Sequence, residues 1–314
     1  PSLTGGDAIT VYGQQYLVRD MIAAHLEMGS SLFFETEVVG VENLETSPLL
    51  IYKRPSGPPG QIRCDFVVAA DGSHSLFRSM IPRVRIIEQQ YPFAWLAILA
   101  ETRPAAEELI YASHHRGFAL FSMRSPMLAR NYLQVDPDAR LEEWSDQRIW
   151  EELNIRLGGG ADIQPGPLLE KSIVPMRSLI VEPMQYGRLF LVGDAAHVVP
   201  PAGAKGMNMA VADVIVLFSG LTRYYEDNDS SVLDDYTARC LRHVWQAEFF
   251  SWWWTFLLHV RPDPFEEGLR QTQLRNMLEV PHLQRFFAEN YVGLYTTGRY
   301  VEFVQGTKGV GGVA

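Results

Sequence analysis

The sequence predicts an α/β fold: a parallel-sheet domain interrupted by an inserted, mostly antiparallel β-sheet region and followed by a helical C-terminal region. Two apolar strand segments run straight into an Asp-Gly or Gly-Asp pair, CDFVVAADG (Cys64 to Gly72) and GRLFLVGD (Gly187 to Asp194). That is the pattern of buried parallel strands that deliver a loop at their carboxyl ends. Between them lies a β-rich stretch from about Val84 to Val135, and from Gly206 to Glu289 the pattern is helical, interrupted by Arg261-Pro-Asp-Pro.

In chain order, Ala8 to Tyr12 (AITVY) reads as a short strand. Gln14 to Glu27 reads as a helix with Leu17, Met21, Ala24 and Leu26 on one face. Leu32 to Glu42 and Leu49 to Tyr52 are strand-like, the second closed by the turn signal Pro55-Ser-Gly-Pro-Pro-Gly. Cys64 to Ala70 is a buried strand. Arg140 to Arg156 reads as a surface helix whose apolar face is Trp144, Ile149, Trp150 and Leu153, ended by Gly158-Gly-Gly. Gly187 to Val192 is a second buried strand, and the Gly- and Val-rich tail Gly306 to Ala314 is expected to fray.

Composition narrows the function classes. The 314 residues carry a net charge of -10 with 47% hydrophobic residues, a globular profile. An acidic balance argues against a nucleic-acid partner, whose phosphates need a basic face. The most apolar run, Phe249 to Val260, is too short to span a bilayer, so no membrane association is expected. Two cysteines, Cys64 and Cys240, are too few for a disulfide framework or a zinc ribbon and are expected to be inert thiols of a cytoplasmic protein. His114-His115 lacks carboxylate or thiol company, so no metal site is expected there.

Two strand–Asp–helix units carry chemistry. In the first, Gly72 permits a tight turn, Ser75 can cap a following helix and Arg78 lies three residues on; an ordinary turn is the plainer reading. In the second, Gly193-Asp194 ends a buried strand, and Pro200-Pro201 and Gly203-Ala-Lys-Gly206 precede a helix starting near Met207. The free N–H groups of that helix suit a partly anionic acceptor, and an ionised Asp194 suits a hydroxyl-bearing ligand. His197 beside it reads as a packed loop residue rather than a base. A third constellation is the hairpin Gly117 to Asp136. A turn centred on Met127 sets Ser122 opposite Tyr132 and Arg124 opposite Arg130, and a hydroxyl, a guanidinium and a phenol on one face suit a carboxylate. Two arginines facing each other would repel unless an anion lay nearby. A half-exposed hairpin with an incidental Arg is the alternative.

These strings resemble the DG and GD motifs of the flavoprotein aromatic hydroxylases. The likeness runs over nearly the whole chain, through ITVYGQ (Ile9 to Gln14), YPFAWLAILAET (Tyr91 to Thr102), ELIYASHHRGFAL (Glu108 to Leu120), EKSIVPMRSLIVEPM (Glu170 to Met184) and AENYVGL (Ala288 to Leu294). The resemblance implies FAD as cofactor, with Gln14, Asp71, Arg78, Gly193, Asp194, Gly203, Lys205, Gly206, Met207 and Asn208 around it, and NADPH as co-substrate. It implies Ser122, Arg124 and Tyr132 on the substrate carboxylate, and Tyr111, Tyr291 and the Pro201 carbonyl at the substrate hydroxyl. Taken without the family, both tyrosines read as core residues. The implied reaction converts 4-hydroxybenzoate to 3,4-dihydroxybenzoate with O2 through an electrophilic flavin hydroperoxide. Drawing the phenol proton away through a tyrosine relay makes the ring electron-rich. Another phenolic acid as substrate, or a non-catalytic aromatic-acid-binding remnant, are the alternatives.

The family's opening βαβ unit with GxGxxG has no counterpart in this sequence. The expectation is a piece of a longer enzyme, with a natural remnant that binds FAD poorly as the rival. Ala202 also stands where a similar family member has a Thr. The implied division is 1–82 partial FAD-binding domain, 83–182 substrate-binding sheet domain, 183–225 return of the FAD-binding domain and 226–314 helical region. A homodimer is expected, and the Trp252-Trp-Trp254 helix could serve as core or as subunit contact.

Overall fold

The structure, a computed structural model, describes residues 2–158 and 163–293. The tail Gly306 to Ala314 lies outside the described residues. Helix α1 (Gln14–Glu27) forms over the span its periodicity predicts, yet buries none of its side chains. The expected strand Ala8 to Tyr12 does not form: no sheet includes it, Ile9 and Val11 stay exposed, and a lone extended segment has no ladder to hold it. The strand expected from Leu32 begins only at Glu37, because a turn with Glu35 at φ +50° precedes it.

Strands β1 (Glu37–Glu42), β2 (Leu49–Lys53) and β3 (Gly60–Arg63) make a small antiparallel sheet, β3 being the unforeseen return from the Pro/Gly turn. The buried segment after Cys64 is a strand only over β4 (Val67–Ala69). Its length is set by its partner β11 (Leu189–Leu191), to which it pairs in parallel. After Gly72, at φ +80°, the expected helix is a single 3-10 turn, Phe77–Met80; the Ser75 hydroxyl accepts the Arg78 N–H at 3.2 Å.

The inserted region is one six-stranded antiparallel sheet. It comprises β5 (Arg85–Ala100), β6 (Ile110–Ala112), β7 (Ala119–Ser125), β8 (Leu128–Val135), β9 (Leu168–Glu182) and the short β12 (His197–Val198), in the order β12-β9-β5-β8-β7-β6. A two-residue β10 (Gln185–Tyr186) completes the β10-β11-β4 sheet, whose only parallel pair is β4 with β11. Alternation along β5 sorts the large sheet's faces. Ala94, Leu96 and Ile98 pack with Ile149 and Leu153 of α2 (Asp146–Leu157), a helix capped by Ser145 and stopped by Gly158 at φ +67°.

Phe93 and Trp95 face the helical region: α3 (Gly206–Asp227), α4 (Ser231–Asp234), α5 (Tyr236–Leu258), α6 (Pro264–Glu279) and α7 (Pro281–Val292). The join is polar as well as apolar. His259 stacks on Phe93 at 4.0 Å and accepts the Trp95 indole N–H at 2.6 Å, while its other ring nitrogen donates to the Thr255 carbonyl at 2.6 Å. Burial pulls its pKa to about 3, so the ring is neutral. Among the described residues no helix is long and apolar enough to cross a membrane.

Glu248 of α5 is the exception in this layer. Its carboxyl accepts from the Ser178 hydroxyl, which is 2.8 Å from the Tyr91 hydroxyl, while its second oxygen is buried without a partner. Burial raises its pKa to about 7. A carboxyl raised on folding favours the folded state at acid pH, and that contribution is lost as pH rises through the folded pKa. Between pH 5 and 8 this group is expected to cost the wild type about 3 kcal/mol that Glu248→Gln does not lose. Urea midpoints of both proteins across that range read it, and parallel pH profiles would contradict it.

Candidate active site

The GD turn is built at the carboxyl end of β11. Gly193 sits at φ +58°, and a side chain there would come within 3.1 Å of Ala210. Its N–H donates at 2.9 Å to Asp213, which also receives His197 Nε2 at 2.6 Å and His243 Nε2 at 3.1 Å. Burial alone would push the Asp213 pKa up, but the two imidazoles outweigh it and hold the carboxyl at about 2. His197 is thus packed and bonded as expected, though it opens the short strand β12 rather than lying in a loop.

Arg78 joins the two motifs. Its buried guanidinium donates to the carbonyls of Ala195 (3.0 Å), Asp194 (3.0 Å) and Ser73 (3.2 Å). Through these bonds it braces the two motifs against each other. Asp71 accepts the Leu76 N–H at 2.8 Å and so closes the DG turn. The Asp194 carboxylate is exposed and has no protein partner among the described residues.

From Asp194 the chain runs along a surface that admits a ligand closely. No side chain caps α3 at Lys205, so the N–H groups of Gly206, Met207 and Asn208 open its first turn. A side chain at Gly203 would meet Ser251 at 2.7 Å, which keeps this loop tight against α5. The Lys205 ammonium is buried and turns toward the helices, donating to the Tyr291 carbonyl at 2.7 Å; burial brings its pKa down to about 8. A free carboxylate followed by an uncapped helix start suits one extended ligand with hydroxyls at one end and a partly anionic edge at the other. FAD fits that description. Gln14 opens α1, and among the described residues no hydrogen bond links it to this segment.

The hairpin differs from its expected register. The turn is Pro126-Met127, and Arg124 is the extra residue of a bulge between Met123 and Ser125. Ser122 therefore faces Arg130 rather than Tyr132, and donates its hydroxyl proton to the Arg130 carbonyl at 2.7 Å. Arg130 does not face Arg124; it pairs with Glu170 at 3.4 Å. The shift is two residues, so Ser122 and Tyr132 still share a face. Arg124 donates to the Met123 carbonyl at 3.1 Å, and its guanidinium has no carboxylate partner among the described residues.

One cross-strand row places Tyr111 of β6 opposite Leu120 of β7, and Leu120 opposite Tyr132 of β8. The two tyrosines thus stand on one face, about 10 Å apart by the spacing of two strands. The Tyr111 hydroxyl is 2.7 Å from that of Tyr291 on α7, and donates to the Ala202 carbonyl at 3.1 Å. The Pro201 carbonyl, expected at the substrate hydroxyl, accepts the Ala204 N–H at 3.0 Å with one of its two lone pairs. Burial raises the pKa of both tyrosines, that of Tyr111 the more strongly.

A cavity of about 720 Å³ opens beside the pair, lined by Leu109, Tyr111, Trp254, Arg275, Glu279 and Tyr291 among others. Ser122, Arg124 and Tyr132 are not on its wall. The sequence reading passed over Asp213; it took Trp254 as core or subunit contact, and Trp254 is a core residue that also lines this cavity. A lone Asp inside the apolar run MNMAVADVIVLF was the one available signal for Asp213.

Residues 2–251 match the family described as FAD binding domain. The chain is 42% identical over 299 residues to p-hydroxybenzoate hydroxylase of Acinetobacter baylyi (strain ATCC 33305 / BD413 / ADP1), covering 93% of this chain and 74% of that protein. It is 30% identical over 170 residues to aklavinone 12-hydroxylase RdmE of Streptomyces purpurascens, covering 51% of this chain and 31% of that one. Among solved structures, p-nitrophenol 4-monooxygenase PnpA from Pseudomonas putida DLL-E4 shares the fold at a TM-score of 0.77 and 17% identity, covering 91% of this chain and 73% of its own. OxyS anhydrotetracycline hydroxylase from Streptomyces rimosus shares it at 0.70 and 22%, covering 90% and 57%.

Asp213→Asn removes the charge that three N–H groups surround, and is expected to lower the unfolding free energy by about 3 kcal/mol. Urea unfolding at neutral pH reads this. An unchanged midpoint would mean that the carboxylate does not hold the turn.

Proposed function

The chain belongs to the FAD-binding family of aromatic hydroxylases and monooxygenases, and on that premise we propose that it hydroxylates 4-hydroxybenzoate to 3,4-dihydroxybenzoate with NADPH and O2. The observation that carries the reading is the Tyr111–Tyr291 hydroxyl pair at 2.7 Å, on the sheet face that also bears Ser122 and Tyr132. An aromatic ring with a carboxylate at one end and a hydroxyl at the other, plus a hydrogen bond at each end, can bridge that separation. The A. baylyi relative, a p-hydroxybenzoate hydroxylase by name, supports the choice of acid.

FAD supplies the oxygen-transfer chemistry when bound. Asp194 would accept from its ribityl hydroxyls, and the open first turn of α3 at Gly206, Met207 and Asn208 would lie along its ring edge. Arg78, Asp71, Gly193 and Gly203 shape the turns that bring those groups together. Arg124, whose guanidinium has no carboxylate partner among the described residues, would take the substrate carboxylate, with Tyr132 beside it. Ser122 would need to turn its hydroxyl from the Arg130 carbonyl to join them. At the far end, Tyr111 takes the proton of the substrate hydroxyl and passes its own to Tyr291, so the bound ring gains phenolate character. The Ala202 carbonyl holds Tyr111 in place, and Lys205 holds the chain at Tyr291. The apolar layer around Trp95 and Phe118 keeps water from the ring's faces. The same reading divides the chain at 82, 182 and 225. It makes the protein a cytoplasmic homodimer, with exposed Trp252 of α5 as a candidate contact.

In FAD-loaded protein, 4-hydroxybenzoate is expected to stimulate NADPH oxidation and to yield 3,4-dihydroxybenzoate. FAD binding followed by flavin absorbance, with no response to 4-hydroxybenzoate and no stimulated oxidation, would sink the proposal. Arg124→Gln is expected to weaken 4-hydroxybenzoate binding by about 2 kcal/mol, roughly thirtyfold, with FAD affinity unchanged. Equal affinity for the acid in wild type and variant would remove Arg124 from the role.

A further inference from the structure

The hydroxyl of Tyr111 has one proton and two lone pairs. Its proton is directed at the Ala202 carbonyl, 3.1 Å away. The 2.7 Å contact with Tyr291 is then a bond that Tyr291 donates, and it occupies one lone pair. The second lone pair receives no hydrogen bond among the described residues, and α5 passes beside the ring. There Trp254 stands edge-on to Tyr111, with ring centroids 5.4 Å apart at 68°. Trp254 is 4% exposed, and its indole N–H has no acceptor within hydrogen-bond geometry. An indole nitrogen can only donate, and a buried donor without an acceptor is costly. The nearby hydroxyl with a spare lone pair is the fitting partner, and both side chains line the same cavity.

We propose that Trp254 is a positioning residue for the proton relay, its indole N–H serving the second lone pair of the Tyr111 hydroxyl while Tyr111 exchanges its proton. The inference rests on the relay reading above. In the exchange Tyr291 releases its own proton to water in the cavity and takes the proton of Tyr111, which swings from Ala202; the lone pair that Tyr291 had filled is then open. That lone pair takes the substrate's proton as the substrate O–H bond breaks, while the indole N–H keeps the other. Each tyrosine ends with one proton, the indole keeps its own, and the proton given to water is balanced by the negative charge left on the substrate oxygen. Between the two transfers the Tyr111 oxygen carries the negative charge, which a second donor stabilises.

The electrostatics agree. Burial and the nearness of Tyr291 drive the Tyr111 pKa well up, and the Trp254 side chain pulls it back. The other titratable groups around the pair are Tyr132 of β8, Lys205 before α3, and Arg275 and Glu279 of α6 on the cavity wall.

The test follows ionisation of bound 4-hydroxybenzoate by ultraviolet difference absorbance against pH, in the full chain, for wild type, Trp254→Phe and Tyr111→Phe. Benzoate, which lacks the hydroxyl, is titrated in parallel. Trp254→Phe keeps the ring and removes the donor, so the ionisation midpoint is expected to rise by about one unit while benzoate affinity holds. Trp254→His restores a ring N–H and is expected to recover part of that shift. It also serves as an independent comparison with wild type if the Phe variant does not fold. A midpoint that moves in Tyr111→Phe but in neither Trp254 variant overturns this inference alone. A midpoint unmoved in Tyr111→Phe overturns the relay reading itself. Equal weakening of benzoate and 4-hydroxybenzoate with an unshifted midpoint would reduce Trp254 to packing and overturn the inference.

Discussion

Asp213 sits in α3 with no exposed surface and receives N–H groups from Gly193 at the end of β11, from His197 in β12 and from His243 in α5. Those three elements belong to the mixed sheet, the large antiparallel sheet and the helical region. A buried carboxylate is stable only when its lone pairs are filled, so the charge obliges all three to meet at one point. The GD turn lies between β11 and β12, and its course is fixed from below by that meeting. Arg78 then fixes it from the side through the carbonyls of Asp194 and Ala195. With its backbone held twice, the turn can leave the Asp194 side chain free for a ligand.

The large sheet contributes differently. One face is closed by α2, and the other carries aromatic side chains against α5 and α7. Because the helices supply Trp254, His259 and Tyr291 to that second face, the tyrosine pair is assembled from residues 180 positions apart. Lys205 adds a link that neither half makes alone, joining the loop before α3 to the Tyr291 backbone. The loop before α3 and the tyrosine pair are mechanically one unit, and burial of the Lys205 ammonium leaves it little other acceptor to choose.

Much of this was legible from residues with strong local patterns. The helix Gln14–Glu27 ends where its periodicity ends, and Gly158 stops α2 as a left-handed cap. The residues of the GD segment carried enough information to identify the family and to single out Asp194. What escaped was decided non-locally. Ala8 to Tyr12 has strand composition, but composition does not provide a neighbour to pair with. The hairpin register turned on a bulge at Arg124, which leaves no trace in an alternating pattern. The error was an even number of residues, so the right side chains stayed on the right face for a reason the pattern does encode. Asp213, His197 and His243 carry ordinary residue identities, and only the fold reveals that they share one carboxylate.

The bulge also divides the candidate pocket into parts that can change at different rates. Arg124 sits next to a turn whose residues Ser125, Pro126 and Met127 are exposed, outside the packed layers. An insertion or deletion there is absorbed by the bulge and the turn, without displacing Phe121 or Leu133 in the core beneath. Tyr111 has no such freedom, being pinned between β7, the Ala202 carbonyl and α7. Under the proposed reading, lineages built on this scaffold can explore which acidic group they grip, and at what reach, by remodelling a hairpin tip. The end that carries Tyr111 has to be inherited nearly whole.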